Sequence, residues 1–276
     1  MRFDFPTIMV LLVVITGAIW LFDHLVLAPR RRLAVIRAAG GAKARTPKTE
    51  ILPQLAPAPK IVEYARSFFP VFLIVLVVRS FLVEPFRIPS GSMMPTLEIG
   101  DFILVNKYTY GIRLPIVDKK IISIGEPKRG DVMVFRYPED PSTPFIKRVV
   151  GLPGDRIGYY DKVLYVNGEP VRQERIGTYT GSGRGSNMTG ASERMEYLGA
   201  KAHAILVQPG YPSLPMESVV PAGQYFVLGD NRDNSRDSRY WGTVPDHYLI
   251  GRAFLIWMNW DWGAGIEWKR IGEPIH

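Results

Sequence analysis

At 276 residues, with 47% hydrophobic and 22% charged side chains, the chain is long enough for a sizeable core in one large domain or two small ones. The absence of cysteine excludes thiol catalysis, cysteine-ligated zinc and disulfide stapling, and leaves the redox compartment unreadable. The formal charge of +8 is concentrated between Leu27 and Ser67, where Arg30, Arg31, Arg32, Arg37, Lys43, Arg45, Lys48, Lys60 and Arg66 stand against Glu50 and Glu63; the nearly neutral remainder argues against a nucleic-acid partner.

Phe5 to Phe22 is uncharged and, as a helix rising about 1.5 Å per residue, just spans a hydrocarbon core of about 30 Å. Residues 1–27 are therefore read as a first transmembrane helix. A cleaved signal sequence is the competing reading, but the positive charges follow the apolar run and no small-residue cleavage site closes it. Residues 28–66 form a basic loop in which Gly40, Gly41, Pro53, Pro57 and Pro59 read as linker residues. The positive-inside rule places this loop in the cytoplasm, and contact with anionic lipid is a second use for its charges. A second span is read at 67–83, with Arg79 close enough to its end to snorkel toward the headgroups. Everything after Glu84 then lies outside the membrane.

Beyond Pro89 the apolar runs are short and rich in β-branched and aromatic residues: Phe102 to Val105, Val132 to Tyr137, Phe145 to Val150, Val163 to Val166, Tyr225 to Leu228 and Leu249 to Met258. Gly, Pro and Asp punctuate them, which is the pattern of an antiparallel sheet protein. Asn167-Gly168 is a two-residue hairpin signal. Gly177 to Glu193 has no hydrophobic period and is expected to be a mobile insertion. The outer part divides into a β core of 84–155 and 220–262, an inserted β lobe of 156–219, and a tail of 263–276. The fold class is mainly β, with two N-terminal transmembrane helices ahead of an antiparallel domain that carries a smaller inserted lobe.

A hydrolase needs a nucleophile, a proton acceptor and oxyanion donors. The four histidines, His24, His203, His247 and His276, do not cluster near a serine motif, so nothing favours a Ser-His-Asp arrangement. Pro89-Ser90-Gly91-Ser92-Met93-Met94-Pro95-Thr96 can present a hydroxyl on a turn, though it is not a Gly-x-Ser-x-Gly elbow, and by itself it is also a plain Ser-rich turn. Lys147 alternates with Arg148 along an apolar strand and shares a face with Phe145 and Val149. Desolvation there lowers an amine from about 10.4, and a shift of about two units, roughly 2.7 kcal/mol, makes it a usable base near pH 8. An edge-strand lysine that guards against aggregation has the same sequence pattern. The loop Gly229 to Gly242 holds Asp230, Asp233 and Asp237 interleaved with Arg232, Arg236 and Arg239. Arg232 and Ser235 stand at the third and glycine places of an EF-hand, so a metal site is not expected, and a braced Asp and Arg network is. Trp257, Trp260, Trp262 and Trp268 fit either membrane-surface contact or β packing.

Together these segments resemble type I signal peptidase, or leader peptidase, in its two-span Gram-negative form. The resemblance runs through the topology and through Pro89 to Leu97, Gly100 to Lys107, Lys128 to Pro138, Phe145 to Asp155 and Gly229 to Gly242. It implies a serine protease with Ser92 as nucleophile and Lys147 as general base, Ser90 as an oxyanion donor and Ser235 as the lysine-orienting hydroxyl. Arg148, Asp230, Asp237 and Arg239 become supporting residues, and Phe86, Ile88, Leu97 and Ile146 line shallow pockets for small side chains at −1 and −3 of a signal peptide. It implies no cofactor and no metal, with preprotein signal peptides and membrane lipid as partners and the secretion translocon as a further candidate. The implied place is the bacterial inner membrane, with the catalytic domain on the periplasmic side. A specialised Ser-Lys processing protease and a non-enzymatic, membrane-tethered peptide-binding β domain are the alternatives.

Overall fold

The structure, a computed structural model, describes residues 5–38, 57–114, 119–261 and 265–276. The readings of Gly40, Gly41 and Pro53 as linker residues, and of Trp262, lie outside the described residues. The chain divides into two compact units, Met1–Ser80 and Phe81–His276.

In the first unit, α1 (Phe5–Phe22) continues through a π-helical stretch (Asp23–Leu27) into α2 (Ala28–Ala38). Helix α3 (Lys60–Val77) leads into a second π-helical stretch (Val78–Leu82), which crosses the boundary between the units. Both helices are long and apolar enough to cross a membrane. The first stays helical past the apolar run, because the arginines and alanines of α2 are good helix formers whatever their polarity. The second begins at Lys60, ahead of the Ser67 boundary drawn from apolarity. Pro59, with ψ of 143°, ends the extended chain there and the following residues already have helical backbone. Gly17 lets the helices approach, since a Cβ at that position would lie 2.9 Å from Phe69 Cε2, and Trp20 packs on Phe69 with ring centroids 5.5 Å apart. Arg79 lies 3.8 Å from the Phe5 ring centroid, at the far end of the pair from the arginines of α2.

The second unit is built of β1 (Val83–Arg87), β2 (Asp101–Asn106), β3 (Ile112–Arg113), β4 (Lys120–Ile122), β5 (Val132–Tyr137), β6 (Asp140–Gly151), β7 (Arg156–Tyr160) and β8 (Val163–Val166). There follow β9 (Glu169–Pro170), β10 (Gln173–Thr178), β11 (Ser192–Leu198), β12 (Lys201–Val207), β13 (Met216–Val219), β14 (Gln224–Leu228), a short helix α4 (Ser238–Trp241), β15 (Val244–Pro245) and β16 (Leu249–Asn259). The large sheet has seven strands in the order β1-β2-β16-β5-β6-β14-β15; the strands between Arg156 and Val219 form a four-stranded sheet, β13-β7-β8-β9, and a three-stranded one, β10-β11-β12. All these pairings are antiparallel.

Alternation along β6 sends its residues to different cores. Phe145 and Val149 pack with Met133, Phe135 and Val227, while Ile146 packs with Ile88, Leu97, Val132 and Val134. Val150, Phe226 and Leu228 of the large sheet meet Ile157, Tyr159, Leu164 and Leu198 in a third cluster that joins it to the smaller sheets. Gly177 to Glu193, expected to be a mobile insertion, instead has its two ends in β10 and β11 and packs between them. Tyr179, Met188 and Ala191 are buried against Met94 and Leu206, and residues Gly183–Met188 form a 3-10 turn. A few anchors at irregular spacing suffice for this, and such spacing leaves no periodic trace in the sequence.

The Asn167-Gly168 hairpin forms as read, with Val166 paired to Glu169 and φ of 54° and 86° at the two turn residues. Both angles lie in the left-handed region that a type I′ turn requires. A Cβ at Gly168 would meet nothing within 4 Å, so Gly168→Ala tests backbone strain alone. The expected loss is about 1 kcal/mol, measured by urea unfolding.

Candidate active site

Three segments distant in sequence converge. The first is the turn after β1, which is held by hydrogen bonds from Met94 N–H to the Gly91 carbonyl (3.2 Å) and from Leu97 N–H to the Met93 carbonyl (2.9 Å). Met93 and Leu97 anchor it as fully buried side chains, leaving Ser92 at its head, 8% exposed. The second is β6, where Lys147 pairs across the sheet with the buried Met133. The Lys147 amine lies 2.8 Å from Ser92 Oγ and donates to the Ile146 carbonyl at 2.8 Å. It is 4% exposed and sits 5.4 Å from the centroid of the Phe145 ring.

Burial lowers the Lys147 amine to about 8, with the charges of Asp237 and Asp230 pulling the other way. Desolvation wins because neither carboxylate makes an ion pair with the amine: Asp230 is engaged by Arg148 and Asp237 by Arg239.

The third segment, Gly229 to Gly242, ties the other two together. Arg148, 1% exposed, donates through Nε and Nη2 to both oxygens of Asp230 at 2.8 and 2.7 Å, and through Nη1 to the carbonyls of Gly130 (2.8 Å) and His276 (2.7 Å). Thr96 Oγ1 donates to Asp230 at 2.6 Å. The Arg148 guanidinium outweighs the upward push of burial and holds the Asp230 carboxyl below the usual carboxylate range. Arg239 binds both oxygens of Asp237 at 2.8 Å, and Asp237 accepts the Gly229 N–H at 3.0 Å. Asp233 is engaged by Lys162. Only Asp237 pairs with an arginine of the loop itself; Asp230 and Asp233 take Arg148 and Lys162 from elsewhere, so the expected Asp and Arg network is not self-contained, because the fold brings other cations to these carboxylates.

Two parts of this arrangement have no counterpart in the sequence reading. Asn231 donates its backbone N–H to the Ser92 carbonyl (3.1 Å) and its side-chain amide to the Gly91 carbonyl (2.9 Å), so it holds the serine turn by two main-chain oxygens. The pattern of charges drew attention to its neighbours, and an uncharged Asn between Asp and Arg carries no signal of its own. Arg232 is fully buried against Glu196 of β11, and His203 of β12 lies 3.4 Å from Glu196 and 3.8 Å from Asp230. Burial, reinforced by the positive Arg148, lowers the His203 imidazole. Strands β11 and β12 thus reach the same polar layer through residues that sequence places far from any motif.

Ser90 is exposed, and Ser235 Oγ is buried beside Gly229 without a hydrogen-bond partner among the described residues, so it does not reach Lys147 here. Phe86, Ile88, Leu97 and Ile146 do come together in one apolar cluster. Ile88 and Leu97 lie beneath its surface at 3% and 0% exposure, whereas Phe86 and Ile146 are half-buried and open to contact. Trp257, Trp260 and Trp268 are exposed, and Trp257 meets Phe102 edge-on.

The chain matches the model of the family described as signal peptidase, peptidase S26, over residues 61–260. Signal peptidase I of Pseudomonas fluorescens is 50% identical over 274 residues, and that of Pseudomonas aeruginosa 49% identical over 273, each match covering 94% of this chain and 94% of the relative. Signal peptidase I of Haemophilus influenzae is 33% identical, with 98% of this chain and 92% of the relative covered. The chain belongs to the signal peptidase family, peptidase S26. It is a peptidase.

Two substitutions test the architecture of the site. Arg148→Met leaves Asp230 buried without its ion pair and is expected to cost about 3–5 kcal/mol in denaturant unfolding. A Cβ at Gly229 would lie 2.5 Å from the Ser92 carbonyl oxygen and collide with Ser235 Oγ. Gly229→Ala is therefore expected to keep the fold by circular dichroism yet lower the rate of peptide cleavage about 100-fold, by shifting the serine turn.

Proposed function

We propose that this chain is a membrane-bound serine endopeptidase that removes N-terminal signal peptides from exported preproteins, with Ser92 as nucleophile and Lys147 as general base. The observation that carries this reading is the 2.8 Å separation of a buried lysine amine and a turn hydroxyl, with the amine brought down to about 8 by that burial.

In its free-amine form Lys147 accepts the Ser92 proton as Oγ adds to the scissile carbonyl carbon. The tetrahedral oxyanion is met by the Ser92 N–H and the Ser90 hydroxyl. The protonated amine then gives its proton to the leaving nitrogen, the C–N bond breaks and an acyl-Ser92 remains. Water, deprotonated by the same amine, hydrolyses the ester and restores the serine. Arg148, Asp230, Asp237 and Arg239 support the turn and the strand from behind.

Strand β1 stands at the edge of the seven-stranded sheet, paired there with β2, and β6 pairs with β14 only from Arg148 onward, so each has an unpaired side ahead of that point. An extended substrate adds there as a strand, and the bulky Phe86 and Ile146 walls leave shallow depressions that take Ala or Gly at −1 and −3. The basic α2 end faces the cytoplasm by the positive-inside rule, which sets the β unit on the periplasmic side of the inner membrane.

The purified chain, incubated with a preprotein and read by mass spectrometry, is expected to cut after a small residue, and Ser92→Ala to release no product. The log of kcat/KM should climb with unit slope to about pH 8 and then level, and Lys147→Met should be inactive at every pH. Lys147→Met also has an expected stability signature. Unfolded lysine titrates near 10.5 and folded Lys147 near 8, so between these values the unfolded chain holds the extra proton and native stability rises with pH. Below pH 8 the folded protein bears the full burden of a buried ammonium, and Lys147→Met should exceed it in stability by about 3 kcal/mol, the gap closing by pH 10.5. Turnover by Lys147→Met at pH 10 overturns the assignment.

A further inference from the structure

The first unit contains a cleft that peptide cleavage does not use. Where the π-helical stretch carries α1 into α2, the helix pair opens into a cavity of about 450 Å³ whose walls include Trp20, Asp23, Arg31, Arg32, Glu63 and Arg66. Its charges are unequal. Arg31 is paired to both oxygens of Asp23, at 2.5 and 3.0 Å, and its Nε is buried without a partner. Arg32 and Arg66 are exposed and make no ion pair with the described residues, so against Glu63 the cleft keeps an excess of positive charge. Exposed Leu21, Phe22, Leu25 and Ile61 flank it along the helices.

This combination matches one ligand chemistry. Guanidinium forks fit the oxygens of a phosphodiester, and apolar side chains alongside them suit acyl chains that leave it toward the bilayer core. The ring of Trp20 is amphipathic and suited to the headgroup level between the two. The basic end of the helix pair is the cytoplasmic end, where anionic lipids concentrate. We propose that the cleft binds the phosphate of an anionic phospholipid of the cytoplasmic leaflet, through Arg32 and Arg66 with Arg31 Nε as a further donor. The inference rests on the reading of both helices as membrane spans.

The test is native mass spectrometry of the full chain released from nanodiscs of equimolar phosphatidylglycerol and phosphatidylcholine. The natural chain is expected to retain phosphatidylglycerol preferentially. Arg32→Gln/Arg66→Gln should lower that preference about fivefold for each arginine removed. Arg30→Gln/Arg37→Gln removes the same charge from exposed positions of α2 that do not line the cleft, and should leave the preference unchanged. Equal losses in the two variants, or no preference in the natural chain, overturn the cleft as a site. Displacement of the lipid by millimolar inorganic phosphate marks a free-anion site and overturns the lipid assignment. Alkaline carbonate extraction separates the two levels. A chain that stays in the membrane pellet yet shows no lipid preference refutes the cleft alone, and a chain released by carbonate refutes the spans on which it rests.

Discussion

An amine buried to 4% exposure, with no carboxylate paired to it and a hydroxyl 2.8 Å away, is the arrangement around which the β unit is organised. Lowering a lysine from 10.5 to about 8 means that its ammonium form is disfavoured by about 3 kcal/mol, which the rest of the fold must offset. Were Asp230 or Asp237 free to pair with it, the ammonium form would be stabilised and the amine held nearer its ordinary value. Arg148 and Arg239 prevent this by engaging those carboxylates at 2.7 to 2.8 Å, so these ion pairs keep the amine low as much as they brace the loop.

That protection explains why so much polar chemistry lies inside a β protein of this size. Arg148, Asp230, Arg232, Glu196 and Asp237 are all buried to 1% exposure or less, and ions so far from water are tolerated only when fully partnered. The network also sets position. Asp230 grips the residue after the lysine, Asn231 grips the serine turn by two carbonyls, and Arg232 grips β11 through Glu196. Three consecutive side chains of one loop thus hold β6, the serine turn and the smaller three-stranded sheet in one register. Packing between apolar surfaces resists sliding only weakly, whereas directional hydrogen bonds to buried charges fix distances to fractions of an ångström.

The two units show opposite relations between pattern and shape. In the helical unit, function and form follow from a single property, apolar length followed by basic charge, and the helices depart from the sequence reading only at their ends, where Lys60 and the arginines of α2 are helical despite their polarity. In the β unit the strands and the Asn167-Gly168 turn were visible because period, β-branching and turn chemistry are local signals. Gly177 to Glu193 was read as loose because Tyr179, Met188 and Ala191 have no period, although each is buried. Phe86, Ile88, Leu97 and Ile146 share one apolar cluster, but which of the four reach the surface depends on the layer above them and is not a property of the residues.

By itself the sequence determined the two apolar helices, the antiparallel character of the β unit, and the presence of a serine turn and a strand lysine. These rest on periodicity and composition, both of which act between near neighbours. Only the tertiary structure decided that Ser92 and Lys147 meet, that Asn231 holds the turn, that His203 and Glu196 enter the polar layer, and that Ser235 stands apart from the amine. Those outcomes depend on how strands far apart in the chain are brought side by side, and on how much water is excluded when they are, which no local pattern encodes.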